Sequence, residues 1–258
     1  MLNSMRVLVV ASQKGGSGKT TLSGHLAVQA DRMGQGPVAL IDTDPQGSLA
    51  QWWNERQDES PAFVQSSLQT LRDDLEALRE QGFKLVVIDT PPAVTKAISQ
   101  VVQYADLVVL PTRPSPHDLR AVGATVDILE AHGKALVFVL NGATARARIT
   151  GQAAVALSQH GTVAPVTVHH RVNFASSMID GRTVMEIDET CASAKEILEL
   201  WEYLDERLKR RHVVALPGEA AEPAPTHNVV AIPNPIAPEG LRPTQPFGRR
   251  GRPEAHAI

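Results

Sequence analysis

An α/β fold, with a mostly parallel central sheet flanked by helices, is the architecture this sequence predicts. Three observations predict it. Short runs rich in Val, Leu and Ile recur at 5–11, 38–41, 85–88, 107–110 and 136–140. Runs apolar on both faces are the mark of strands buried in a parallel sheet. Helical patterns separate them, as crossover connections between parallel strands require. A glycine-rich stretch, Lys14-Gly15-Gly16-Ser17-Gly18-Lys19-Thr20-Thr21, directly follows the first run and opens a helical pattern.

The elements follow in order. Met5–Ala11 reads as the first strand, Thr20–Met33 as a helix and Val38–Ile41 as the second strand. Trp52 and Trp53 pack a short helix behind it. Leu68, Leu71, Leu75 and Leu78 draw one apolar stripe on a helix ending near Gly82. Leu85–Ile88, Leu107–Leu110 and Leu136–Leu140 are further strands. Leu119–Ala131, stopped by Gly133, and residues 149–159 are helices between and after them. The last helix is Ala192–Arg211, where Ile197, Leu200, Trp201, Leu204 and Leu208 share one face. Beyond it, residues 212–258 hold nine of the 18 prolines, a spacing that forbids a packed helix or central strand. The expected division is one folded α/β domain over 1–211 and a Pro-rich, flexible or disordered tail over 212–258.

Composition narrows the function. The chain has 258 residues, 43% hydrophobic and 21% charged, which fits a soluble globular protein. Lys plus Arg is 25 and Asp plus Glu is 28, a net charge of −3. No overall basic field draws it to DNA or anionic lipid, so such binding needs a local patch. The single cysteine, Cys191, excludes an internal disulfide and a cysteine-only zinc site. No signal peptide or membrane span is read, and a cytoplasmic location is expected. His169 and His170 have no metal-ligand spacing and read as a strand end.

The chemistry lies at the glycine-rich stretch. Glycines let successive backbone N–H groups turn inward around phosphate oxygens. The following helix adds its unpaired N-terminal donors. Lys19 supplies charge to the β- and γ-phosphates, and the Thr20 hydroxyl can ligate Mg²⁺. The leading glycine of the ordinary pattern is missing, with Gln13 in its place. Two acids, Asp42 in Asp42-Thr43-Asp44-Pro45-Gln46-Gly47 and Asp89 in Val86–Pro92, end strands and face the crevice where α/β sheets bind ligands. Asp89 suits a role in holding Mg²⁺.

These residues resemble the deviant Walker A ATPases of the ParA/MinD family. The pattern Lys14–Thr21 carries the resemblance, with Asp42–Gly47, Val86–Pro92, Leu110-Pro111-Thr112, Leu140-Asn141 and Arg171–Glu186. The last segment is similar to short plasmid-partition proteins of the ParF type. The resemblance implies a P-loop fold with ATP and Mg²⁺ as cofactors. Gly15, Gly16, Ser17, Gly18, Lys19, Thr20 and Thr21 would bind nucleotide, with Pro111, Thr112 and Asn141 beside the base. Thr20, Asp42 and Asp89 would support the metal. Lys14 would reach across a nucleotide-sandwich dimer, Lys19 would bind phosphate in its own subunit, and Asp44 would position or polarise the attacking water.

The implied function is a dimerising ATPase for DNA partition, nucleoid-associated and released by a ParB-like or other adaptor. It would bind nonspecific double-stranded DNA in the ATP state. Arg171, Arg182, Arg207, Lys209, Arg210 and Arg211 are the expected phosphate contacts, with Arg146 and Arg148 on another segment. Few residues precede the first strand, so no operator-binding domain is expected. The apolar face around Trp201 reads as core packing, and no direct membrane binding is expected. Three alternatives stand beside this reading: positioning of a protein cargo, such as a chemoreceptor cluster or microcompartment; a metabolic P-loop enzyme; and a nonhydrolysing scaffold.

Overall fold

The computed structural model describes residues 5–92 and 95–214. The strands are β1 (Arg6–Val10), β2 (Val38–Asp42), β3 (Ala62–Gln65), β4 (Leu85–Asp89), β5 (Leu107–Thr112), β6 (Leu136–Ala143), β7 (Thr162–Val163) and β8 (Val168–His169). They form one sheet in the order β3-β2-β4-β1-β5-β6-β7, with β8 also paired to β6. Every pairing among the described strands is parallel. β1 therefore sits centrally, between β4 and β5.

The helices are α1 (Lys19–Arg32), α2 (Ser48–Asn54), α3 (Leu71–Glu80), α4 (Thr95–Val102), α5 (Pro116–Ala121), α6 (Gly123–Ala131), α7 (Arg148–Ser158), α8 (Val172–Ser177), α9 (Val184–Ile187) and α10 (Ala192–Val214). A 3₁₀ turn spans Met178–Asp180. Alternate strand side chains feed two cores. Leu8 and Val10 of β1 pack with α1, α2, α8, α9 and α10. Val7 and Val9 pack with α3, α4, α6 and α7 on the other face. Trp201, Leu204 and Leu208 of α10 are fully buried, so that helix spends its apolar face on the core. Gly24 of α1 makes room for this packing: a Cβ there would stand 3.0 Å from the Trp52 ring. No helix among the described residues is long and apolar enough to cross a membrane.

The structure differs from the expected elements where the local signal is weak. β3 is a short, half-exposed edge strand that follows Pro61, and β7 and β8 have two residues each. The expected helix 119–131 is two helices, α5 and α6. α5 starts earlier because Ser115 caps it and Pro116 opens its first turn. Leu68 lies outside α3. α10 runs three residues past Arg211, and the rest of the Pro-rich segment, 215–258, lies outside the described residues.

Candidate active site

Parallel register sets the acids at one level. Asp89 pairs with Val10 on one side and with Asp42 on the other, so both carboxylates emerge at the C-terminal edge beside the loop that leaves β1. That loop takes positive φ at Gly16 (73°) and Gly18 (91°). Gly18 is the residue before α1, and Lys19 and Thr20 form its first turn.

Thr20 Oγ1 donates to Asp89 Oδ2 at 2.6 Å. Asp89 is 1% exposed, and burial pushes its carboxyl up to about 7. The neighbouring Asp42 charge adds to that shift, while the Thr20 hydroxyl and Lys19 ammonium oppose it. Its other oxygen, Oδ1, makes no close hydrogen bond, although the Ser23 hydroxyl also favours the charged carboxylate, and Ser17 Oγ in the loop is buried without a partner. Burial lowers the Lys19 ammonium, against the charges of Asp89 and Asp44. A cation and two orphaned oxygens at a loop with positive φ at two glycines fit a bound Mg²⁺–triphosphate. Among the described residues no three His, Cys, Asp or Glu side chains could hold a metal by themselves. Mg²⁺ here would depend on Thr20, Asp89, phosphate oxygens and water, which is its usual habit.

Asp42 is differently employed. Its Oδ1 accepts from Asp44 N at 2.9 Å, and its Oδ2 from Leu49 N and Ala50 N at 3.1 and 3.2 Å. Burial pushes this carboxyl up and those N–H groups pull it back. Asp42 thus folds the loop that carries Asp44 onto the start of α2. Asp44 is half-buried, accepts from Gln46 N, and lines a cavity of ≈ 530 Å³ with Gln65, Ser66 and Pro91.

Asn141 leaves β6 beside the loop, and its amide donates to Ser17 O at 2.7 Å. Pro111 and Thr112 end β5 and are buried, with Thr112 Oγ1 donating to Leu110 O. Lys14 Nζ lies 2.7 Å from Asp118 Oδ2 of the same chain. The sequence reading missed Asp118, although the order Ser115-Pro116-x-Asp118 is a helix-start signal. It also missed Arg113. That exposed guanidinium stands 3.9 Å from where a Gly16 Cβ would lie and 3.7 Å from that of Gly142.

The expected DNA contacts are mostly engaged with acids. Arg171 pairs with Glu196 at 2.7 Å, Arg182 with Asp180 at 2.6 Å and Lys209 with Asp205 at 2.5 Å. Arg210 pairs with Glu206, and Arg207 lies over the Tyr203 ring. The Arg211 side chain lies outside the described residues. Glu196 and Arg207 are eleven residues apart on α10, about 16 Å along the axis. Arg171 and the α10 end are therefore about three helical turns apart. By contrast, Arg113, Arg146 and Arg148 carry no ion pair among the described residues.

Residues 8–216 match the family model for the CobQ/CobB/MinD/ParA nucleotide-binding domain. The maintenance of carboxysome distribution protein A of Gloeobacter kilaueensis is 47% identical over 123 residues, which is 47% of this chain and 55% of that protein. The protein of the same name from Halothiobacillus neapolitanus is 29% identical over 203 residues, 75% of this chain and 93% of that protein. An ATP complex of Cyanothece McdA superposes with a TM-score of 0.66 at 19% identity, over 80% of this chain and 96% of that one.

Proposed function

The chain belongs to the CobQ/CobB/MinD/ParA nucleotide-binding family and is a P-loop ATPase working with ATP and Mg²⁺; on that premise we propose that it positions a protein-walled cargo. In this reading ATP closes a homodimer, and an adaptor protein on the cargo stimulates hydrolysis and releases it. The observation that carries the cargo is the likeness to two carboxysome-distribution proteins, one of them aligned over 93% of its length.

The site chemistry divides among this chain's own residues. Loop N–H groups and Lys19 bind and orient the phosphates. Thr20 and Asp89 hold Mg²⁺, which neutralises phosphate charge when bound. Asp42 holds the Asp44 loop in place, and Asp44 orients the attacking water. Lys14 contributes its ammonium to the partner subunit's phosphates. Asn141 braces the loop from the side.

A second reading, partition of DNA, is favoured by the ParA/MinD kinship and by the arginines at 171, 182 and 207–211. The ion pairs described above weigh against it, since phosphates would have to compete with Glu196, Asp180, Asp205 and Glu206.

Affinity capture from the native cell, using Asp44→Ala to stall hydrolysis with ATP bound, tests the choice. The expected outcome is co-purification of an adaptor together with shell components of a compartment. Recovery of a centromere-binding partner with its DNA site would transfer the proposal to partition. Rapid turnover that needs a small organic acceptor would replace both with a metabolic enzyme. Binding of ATP with no turnover, even with the captured partner present, would leave a scaffold.

A further inference from the structure

Asp118 is 6% exposed on α5, whereas the Lys14 side chain that reaches it is 39% exposed. Both the Lys14 ammonium and the Ser115 hydroxyl donate to the same oxygen, Oδ2. Asp118 N in turn donates to Ser115 Oγ at 3.2 Å. The carboxylate is therefore gripped by its own helix cap on one side and by the phosphate loop on the other. Around it Ser12, Pro111, Thr112 and Val122 leave a void of ≈ 10 Å³. That is at the lower limit for a single water, so with Lys14 in place the ammonium, not solvent, is the carboxylate's partner. A buried carboxylate that loses its cation is costly unless another donor takes over. Arg113, whose charge also acts on Asp118 and which has no ion pair of its own among the described residues, is placed to soften that loss.

We propose that Asp118 is a positioning residue for Lys14: it holds the ammonium within its own subunit until a neighbouring subunit's nucleotide takes it. The contact stands on the geometry alone, and the destination of Lys14 rests on the dimeric reading above. Two consequences follow. Lys14 is kept off the phosphates of its own subunit, and dimer closure must break an existing ion pair. The dimer is thereby weakened by a contact that lies in the free subunit.

Asp118→Asn keeps the side chain's shape and an acceptor for the serine while removing its charge. In the nucleotide-free full chain, the rate at which an amine-acylating reagent modifies Lys14 is read by peptide mass spectrometry. The expected result is a rise of roughly threefold or more at Lys14 in Asp118→Asn, with other lysines unchanged. Equal rates would overturn the held contact. With Mg-ATP, light scattering on a dilution series reads the dimer dissociation constant. It is expected to fall roughly three- to tenfold in Asp118→Asn, and not to change when Asp118→Asn is added to Lys14→Ala, since the coupling is gone. An equal change in both backgrounds would mean a merely structural role and would overturn the proposal. If Asp118→Asn does not fold, Asp118→Ser makes the same two comparisons. A wild type that stays monomeric with ATP would sink the dimeric reading instead, while the acylation result still decides whether Asp118 holds Lys14.

Discussion

The Asn141 side-chain nitrogen lies 2.2 Å from where a Cβ on Gly18 would be, and it donates to Ser17 O at 2.7 Å. The end of β6 thus closes against the phosphate loop at the one residue whose φ is 91°. Gly18→Ala meets both obstacles, a strained backbone and a displaced amide. The expected outcome is a loss of at least roughly tenfold in ATP affinity with the fold retained, since each obstacle is of order 1–3 kcal/mol. Calorimetry on the folded variant measures it, and unchanged affinity would show that the loop does not need this geometry. Asn141→Ala separates two roles. A brace on the loop predicts equal losses for ATP and GTP, whereas a base contact predicts a loss for ATP alone.

If Asp89 holds Mg²⁺ as proposed, Mg²⁺ binding depends on pH. Its carboxyl is pushed from 3.8 to about 7 in the folded chain. Between those values the folded state binds more protons than the unfolded one, so nucleotide-free stability falls as pH rises from about 4 to about 7 and then levels. Mg²⁺ requires the carboxylate, so its affinity moves the other way, rising up to about pH 7 and levelling above it. Titrations in buffers of different ionisation heat at about pH 6.5 are expected to report proton release on Mg-ATP binding. Asp89→Asn should abolish that release. A variant that releases as many protons as the wild type would place the titrating group elsewhere.

The expectations that rested on unbroken patterns match the observed elements closely. The central strands, α1, α7 and α10 have continuous apolar runs or long periodic faces, and their bounds shift by no more than three residues. The phosphate loop was legible because its glycines, lysine and threonine lie within eight consecutive positions. What was not legible came from distant parts of the chain. Lys14 and Asp118 are 104 residues apart, Asn141 and Ser17 are 124, and His25 accepts from Val184 N across 159. No spacing rule links such pairs; the strand order brings them together. Asp42 shows the complementary difficulty. A strand-end acid next to a phosphate loop reads as a metal helper, yet its oxygens are taken by backbone N–H groups of the segment that follows it. α9 was readable in principle, because Thr183 and Glu186 form a capping box.

The contact between the 3₁₀ turn and the end of α2 predicts a stability defect away from the nucleotide. Gly181 has φ 76°, and a Cβ there would stand 2.3 Å from Arg56 N and 2.5 Å from Arg56 Cα. Those are backbone atoms, which cannot swing aside. The same junction carries the buried Arg56 guanidinium, bonded to Gly181 O at 2.7 Å and to Glu186 at 2.8 Å. Gly181→Ala is expected to cost about 2–4 kcal/mol. Differential scanning calorimetry should then show a melting point lower by roughly 5–15 °C. A shift within about a degree would mean that the turn relocates freely. Arg56→Ala is expected to be at least as severe, because it strands the half-buried Glu186 carboxylate.

The α10 cations give the sharpest test of the DNA reading, because their partners can be removed instead of the cations themselves. Arg210 is paired with Glu206, and both are exposed. An exposed pair of this kind contributes little to folding. Glu206→Gln therefore frees a positive charge without disturbing the core face of α10. If duplex DNA is engaged there in the ATP state, the freed Arg210 adds a phosphate contact. Affinity at low salt is then expected to rise, and the log–log slope against salt to steepen by about 0.9 for each added contact. Replacing Arg207, Lys209, Arg210 and Arg211 together with Ala should weaken every duplex alike. The measurement is a salt titration of the Asp44→Ala protein with ATP on two unrelated duplexes, by anisotropy. Should Glu206→Gln leave both affinity and slope unchanged, the end of α10 is not a DNA surface, and Arg113, Arg146 and Arg148, which carry no ion pair among the described residues, become the next residues to replace.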